Sequence, residues 1–188
     1  MPAARSPAPR SRYVALLRGV NVGGKSTVSM AALAETFRGL GFGDVRTYIN
    51  SGNVIFSAAA TPGASLTARI ERAVERDIGL PVTVLVLDDA ALRSIVAAIP
   101  STWVTDATVR TDILFLWPDV DEPALLERIP RNPEVDEVRY TPGALIWRID
   151  RVNASRSRET RLVGSALYKR MTIRNANTAR KLHELLSG

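Results

Sequence analysis

Between two β-rich runs, Val45–Ile49 and Val54–Ser57, the chain carries Asn50-Ser51-Gly52-Asn53. Asn and Gly tolerate the left-handed backbone of a tight turn, so the four residues read as a hairpin connection. A hairpin joins antiparallel strands, whereas parallel neighbours need a crossover of a dozen or more residues. This short stretch therefore argues against a doubly wound parallel sheet for the first half of the chain.

The flanks complete a pattern. Tyr13–Arg18 reads as a first strand, and Ser29 is placed to cap a helix whose apolar positions are Met30, Leu33, Phe37 and Leu40, stopped at Gly41. After the hairpin, Leu66, Ile70, Val74 and Ile78 recur four residues apart before Gly79 and Pro81, and Val82–Leu87 reads as a closing strand. The order is β-α-β-β-α-β, the unit of the ferredoxin-like fold. A helix capped by Asp88 or Asp89 then leads to Thr111–Trp117, a second strand–helix–hairpin series with Pro123 in the helix's first turn, and a turn at Thr141-Pro142-Gly143. The expectation is an α+β chain of two tandem ferredoxin-like (βαββαβ) modules with antiparallel sheets. Residues 1–12 are a disordered tail, 13–88 the first module, 89–108 a bridge and 109–188 the second module with a C-terminal helix. Ala166–Arg174 is helix or short strand, and Asn177 is the expected cap of the last helix, with Ala179, Leu182, Leu185 and Leu186 inward.

Composition narrows the chemistry. There is no cysteine, so disulfides, thiol catalysis and thiolate metal sites are excluded and the cytoplasm is the expected compartment. His183 is the only histidine, on the last helix among polar neighbours, which argues against a Ser-His triad or a histidine-rich metal site. No catalytic residue, metal or cofactor is assigned. No apolar run has the length of a membrane span. The net charge of +6 is unevenly spread. Residues 101–150 hold five basic and ten acidic side chains, and residues 151–188 nine basic and two acidic. The two blocks can offset each other, which weakens the case for a phosphate-backbone surface. The acidic residues Asp119, Asp121 and Glu122 read as favouring a helix N-terminus, and Glu134, Asp136 and Glu137 as facing solvent. The strand aromatics Tyr13, Tyr48, Phe56, Phe115, Tyr140 and Trp147 would have to be exposed to stack on bases; core packing is the expectation.

Gly19-Val20-Asn21-Val22-Gly23-Gly24-Lys25-Ser26 fits the phosphate-loop pattern G-x-x-x-x-G-K-[ST] and follows a strand. Helical periodicity, however, begins near Met30 instead of at Lys25, and the next strands form a hairpin. The anion-binding physics survives without hydrolysis: glycines expose backbone donors, and Arg18, Asn21 and Lys25 add charge and hydrogen bonds. A second basic stretch, Lys169–Thr178, brings Lys169, Arg170, Thr172, Arg174, Asn175 and Asn177 to the start of a helix, where phosphate or carboxylate can be held.

Three stretches, Leu17–Lys25, Thr47–Phe56 and Thr172–Thr178, carry a resemblance to the bacterial proteins grouped as domain of unknown function 1697, spanning about residues 13–187. The resemblance implies a tandem ferredoxin-like fold and no assigned catalytic residues. The expected function is binding of a small anionic ligand, without established catalysis, by Arg18, Asn21, Gly23, Gly24, Lys25, Asn50, Ser51, Asn53, Lys169, Arg170, Thr172, Arg174, Asn175 and Asn177. The alternatives are a nucleic-acid-binding module, a phosphate-loop nucleotide hydrolase and a protein-interaction scaffold. The strand-to-helix loop and the hairpin turn of one module can fall at opposite ends of its sheet, in which case the three segments meet only with the other module's help.

Overall fold

A computed structural model describes residues 10–21 and 28–188 of the chain, which divides into two compact units, Met1–Asp89 and Ala90–Gly188. The first runs β1 (Arg10–Arg18), α1 (Met30–Gly39), β2 (Gly43–Tyr48), β3 (Asn53–Ala59), α2 (Gly63–Ile78) and β4 (Thr83–Asp88). Its sheet has the order β2-β3-β1-β4, and every neighbouring pair is antiparallel. The first strand starts three residues earlier than its sequence suggests. Arg10, Ser11 and Arg12 pair with Ala59, Ala58 and Ser57, because β3 runs long enough to offer them ladder partners.

Local chemistry sets the helix ends. The Ser29 hydroxyl accepts from the Ala32 N–H at 3.3 Å and starts α1. Leu66, Ile70, Ala73 and Val74 make the buried stripe of α2, which ends where Gly79 N–H reaches the Glu75 carbonyl. Both helices pack on one face of the sheet, on Tyr13, Ala15, Leu17, Val54, Phe56 and Val84. The core is aromatic at its centre: Phe56 stacks on Phe42 at 4.6 Å between centroids and meets Phe37 edge-on at 5.4 Å. Truncating Phe56 would remove several kcal/mol, about 3–5 for a fully buried aromatic. The other face of the sheet is apolar too, and Val14, Leu16, Ile55 and Leu85 on it are buried.

The second unit opens with α3 (Asp89–Ala97), so most of the stretch expected to be a bridge lies within it. It continues with β5 (Val109–Leu116), α4 (Leu125–Arg128), β6 (Glu137–Thr141), β7 (Ala144–Asp150), three short 3-10 turns at Arg151–Asn153, Glu159–Leu162 and Tyr168–Arg170, then β8 (Met171–Asn175) and α5 (Ala176–Ser187). The sheet order β6-β7-β5-β8 is again wholly antiparallel. The helical layer is where the second series departs from expectation. The helix after Pro123 has a single turn, and 3-10 turns occupy the interval that α2 fills in the first unit. Residues 151–170 supply no apolar stripe at helical spacing: Val152 and Val163 are exposed and Leu162 is buried.

One further expectation is corrected. The cap of α5 is Asn175, whose side chain accepts from Thr178 N–H at 2.8 Å, because β8 runs straight into the helix and leaves no room for a later start at Asn177. The aromatics Tyr13, Phe56, Phe115 and Trp147 are buried, in keeping with core packing, and Tyr48 and Tyr140 are half-buried. Among the described residues no helix is long and apolar enough to cross a membrane.

Candidate functional site

In the first unit Leu16 of β1 pairs with Asn53 of β3, so the end of β1 lies beside the start of β3. The loop after Arg18 and the Asn50–Gly52 turn therefore share one end of the sheet, which answers the question of opposite ends for these two segments. Asn21 ties them together. Its side-chain oxygen accepts from Val28 N–H at 2.7 Å, and its amide donates to the carbonyls of Val28 at 3.1 Å and Asn50 at 2.9 Å. The clasp joins the two chain ends that flank residues 22–27 and fixes both to the turn. Gly23, Gly24 and Lys25 fall in that interval, outside the described residues.

The turn is packed directly on β1. Leu17 N–H donates to the Gly52 carbonyl at 2.8 Å, and a β-carbon on Gly52 would sit 2.9 Å from Leu17 Cβ, so no side chain fits there. Asn53 is fully buried and its amide closes the turn on the Tyr48 carbonyl at 3.1 Å. Ser51 and Arg18 are half-buried beside it, and Asn50 is exposed. Two residues other than glycine have positive φ here, Asn21 at 56° and Ile49 at 48°. Asn adopts this conformation readily. A β-branched residue does not, at a cost of roughly 1–2 kcal/mol, and Ile49 also leaves 48% of its surface exposed.

The basic segment of the second unit is committed internally. Arg170 grips both oxygens of Asp119, at 2.8 and 2.5 Å, with its guanidinium 5.9 Å from the Trp117 ring centroid. Arg174, expected at an exposed anion site, is instead 8% exposed. It donates to the Thr172 hydroxyl at 3.0 Å and the Ile173 carbonyl at 2.7 Å, and burial pulls its pKa down to about 10. The reason is strand alternation: Thr172 and Arg174 lie on the same face of β8, and both are buried there. Asn175 caps α5, and Asn177 donates to the Thr105 carbonyl at 2.7 Å. Lys169 is exposed.

Of the acidic residues read as solvated or helix-facing, Asp121 and Asp136 prove to be internal acceptors, whereas Glu134 and Glu137 are exposed as expected. Asp121 accepts from Gly143 N–H at 2.9 Å and from the Tyr140 hydroxyl at 3.0 Å, which holds the second hairpin turn much as Asn21 holds the first. Glu122 pairs with Arg128. Glu122 precedes α4 directly, its carbonyl accepting from Leu125 N–H at 3.0 Å, whereas the side chains of Asp119 and Asp121 are engaged by Arg170 and by the hairpin turn. Asp136 does not face solvent; it is 4% exposed and accepts from Asn132 N–H at 2.6 Å, Arg158 N–H at 3.0 Å and the Trp147 indole at 3.1 Å. Burial alone would raise its pKa, and the hydrogen bonds outweigh it and hold the carboxyl below the usual range.

A cluster not singled out from the sequence lines a cleft of about 180 Å³ in the second unit. Arg110 Nε lies 2.9 Å from Asp112 Oδ2, and its Nη2 contacts Glu159, which is buried. Burial pushes the Asp112 carboxyl up, opposed by Arg110 and Arg151. Asp112 and Glu159 thus flank one guanidinium in a partly open cleft. The available signal was polar residues at alternate positions of an apolar strand, Arg110 and Asp112. Among the described residues no group of three or more His, Asp or Glu side chains is placed to hold a metal ion.

The solved structure of the conserved bacterial protein SP0830 from Streptococcus pneumoniae is similar to this chain, with 27% identity and a TM-score of 0.80 over 95% of this chain and 99% of that one. No curated protein matches the chain. The profile of the family described as "Protein of unknown function (DUF1697)" matches residues 10–147, stopping short of the Thr172–Thr178 stretch, and the chain belongs to that family.

Proposed function

We propose that the end of the first sheet, where the loop after β1 meets the β2–β3 turn, binds a small anionic ligand bearing a phosphate or carboxylate, in the cytoplasm and without a requirement for catalysis. The observation that carries this reading is the Asn21 clasp, which anchors a glycine- and lysine-containing interval at both ends beside a turn. Glycine-exposed backbone donors, with the charges of Arg18 and Lys25 in the same stretch of sequence, suit an oxyanion. The positive φ of Ile49 at the same place supports it, since backbone strain concentrates at functional sites. The wholly antiparallel sheet and a helix that opens at Met30 favour binding over the nucleotide-hydrolase alternative. We further read both units as ferredoxin-like modules related to each other. The support is their matching strand order and a matching bond, from Leu17 N–H to the Gly52 carbonyl in one and from Leu116 N–H to the Gly143 carbonyl at 2.9 Å in the other.

The test is thermal denaturation with inorganic phosphate, ATP and sugar phosphates, since a ligand that binds only the folded state raises the midpoint with its concentration. A rise that disappears in Arg18→Ala and Lys25→Ala fits the proposal. A rise unchanged in both variants, or none with any of the compounds, defeats it.

A further inference from the structure

At the other end of the same sheet, where Arg10 pairs with Ala59, lies a cleft of about 340 Å³. We propose that it is a second binding site, for a small acid that carries its carboxylate or phosphate monoester on an apolar body. Two guanidiniums line it. Arg10 donates to the Gly41 carbonyl at 2.9 Å, and Arg69 donates to the Leu40 carbonyl at 3.1 Å. Arg69 also lies over the ring of Phe42, 5.2 Å from its centroid. Each side chain is thus held in place by a neutral partner.

Neither charge is neutralised. Among the described residues no carboxylate pairs with Arg10 or Arg69, and residues 1–9 and 22–27 contain no Asp or Glu. A backbone carbonyl at the end of α1 accounts for one donor of Arg69, and one just beyond it for one donor of Arg10. A guanidinium has five N–H donors in a planar fork matched to carboxylate and phosphate oxygens, so most of both forks stay unused. Two oriented and unpaired forks in one cleft form an oxyanion clamp whose ordering is largely complete before a ligand arrives.

The rest of the cleft sets the ligand class. Phe42, Leu40 and Ala58 make an apolar floor, and Thr61 stands at its edge. The volume falls in the range of small-molecule sites. The backbone is close to the clamp as well: a β-carbon on Gly43 would lie 2.8 Å from the Ser57 hydroxyl and 3.3 Å from Arg10 Cζ, so a side chain there would press on both.

The experiment titrates the full chain with phenyl phosphate and benzoate, and with benzamide and inorganic phosphate as probes lacking the charge or the apolar body. Binding is followed by calorimetry and by amide chemical shifts. We expect phenyl phosphate or benzoate to bind with a Kd below about 1 mM, moving the amides of Gly41, Phe42 and Thr61 and leaving Asn50–Asn53 still. Benzamide and inorganic phosphate should bind at least about tenfold more weakly, and Arg10→Gln and Arg69→Gln should each raise the Kd by about tenfold or more. The corresponding Arg→Lys variants keep the charge without the fork and should fall between. The shift pattern of the unsubstituted chain decides the matter even if one variant folds poorly. Binding of benzamide equal to that of benzoate, affinity unaffected by Arg69→Gln, or no shifts at Gly41–Phe42 would overturn the proposal. Loss of binding in Arg18→Ala alone would assign the ligand to the other end of the sheet and likewise refute this site.

Discussion

Replacing Asn21 separates the clasp's hydrogen bonds from its backbone geometry. The side chain makes three hydrogen bonds, at 2.7, 2.9 and 3.1 Å, from a half-buried position at φ 56°. A neutral hydrogen bond contributes about 0.5–1.5 kcal/mol net, and water replaces part of that at a half-exposed site. Asn21→Ala also places in the left-handed region a residue without asparagine's tolerance of it, adding about 1 kcal/mol. The expected loss is about 2–4 kcal/mol. Asn21→Gly loses the same bonds without the backbone penalty and should be milder by about 1 kcal/mol. Asn21→Asp is the sharpest probe. It keeps the bond from Val28 N–H but turns a second oxygen toward the carbonyls of Val28 and Asn50, which donate nothing. It should be at least as damaging as Ala at pH 7, and should recover as pH falls below about 4, where a protonated carboxyl can donate again. The assay is urea unfolding followed by far-UV circular dichroism, because Trp103, Trp117 and Trp147 all lie in the second unit and their emission reports on that unit. If Asn21→Asp left the protein as stable as the unsubstituted chain, the hydrogen-bond assignment would be refuted.

Asp136→Ala orphans the Asn132 and Arg158 amides and the Trp147 indole and should cost about 3–5 kcal/mol, read as an earlier loss of tryptophan emission in urea. Because the Asp136 carboxyl is held low, its contribution is present above the unfolded value of about 4 and disappears as pH falls through the folded value, so the variant should show a weaker acid destabilisation. Asp112 has the opposite sign: its raised pKa makes stability decline as pH climbs from about 4 through the folded value, and Asp112→Asn should flatten that part of the stability–pH curve. An unchanged curve would show that burial does not perturb this carboxyl.

The antiparallel architecture was legible because its signals are local. Asn50–Asn53, the spacing of Leu66, Ile70 and Val74, and Ser29 before Met30 each act within a few residues. The side chains that hold loops in place were not legible, since their partners are distant in sequence. Asp121 reaches Gly143 and Asp136 reaches Trp147, and an acid near a helix or strand end looks the same on paper whether it meets water or a buried donor. Arg174 misled for the same reason: a cation in a basic run reads as exposed until the strand's alternation is known. The expected second helical layer failed because residues 151–170 lack the apolar period that such a layer needs. Of the candidate ligand residues, Arg18, Asn21 and Asn50–Asn53 are brought to one sheet end, whereas Arg170, Arg174, Asn175 and Asn177 serve the structure of their own unit.

That both faces of the first sheet are buried bears on how the strands find their alignment. Ordinarily a one-residue slip moves apolar side chains into water and is rejected on that ground. Residues 13–17 of β1 and 53–58 of β3 are buried without alternation, so a slipped ladder would expose nothing that the correct ladder hides. The information that selects one alignment must then reside at the strand ends, in Gly52 seated against Leu17 and in the Asn21 amide that only one alignment brings to the Asn50 carbonyl. These few polar contacts choose among near-equivalent apolar pairings, and their worth lies in discrimination more than in the free energy that they add.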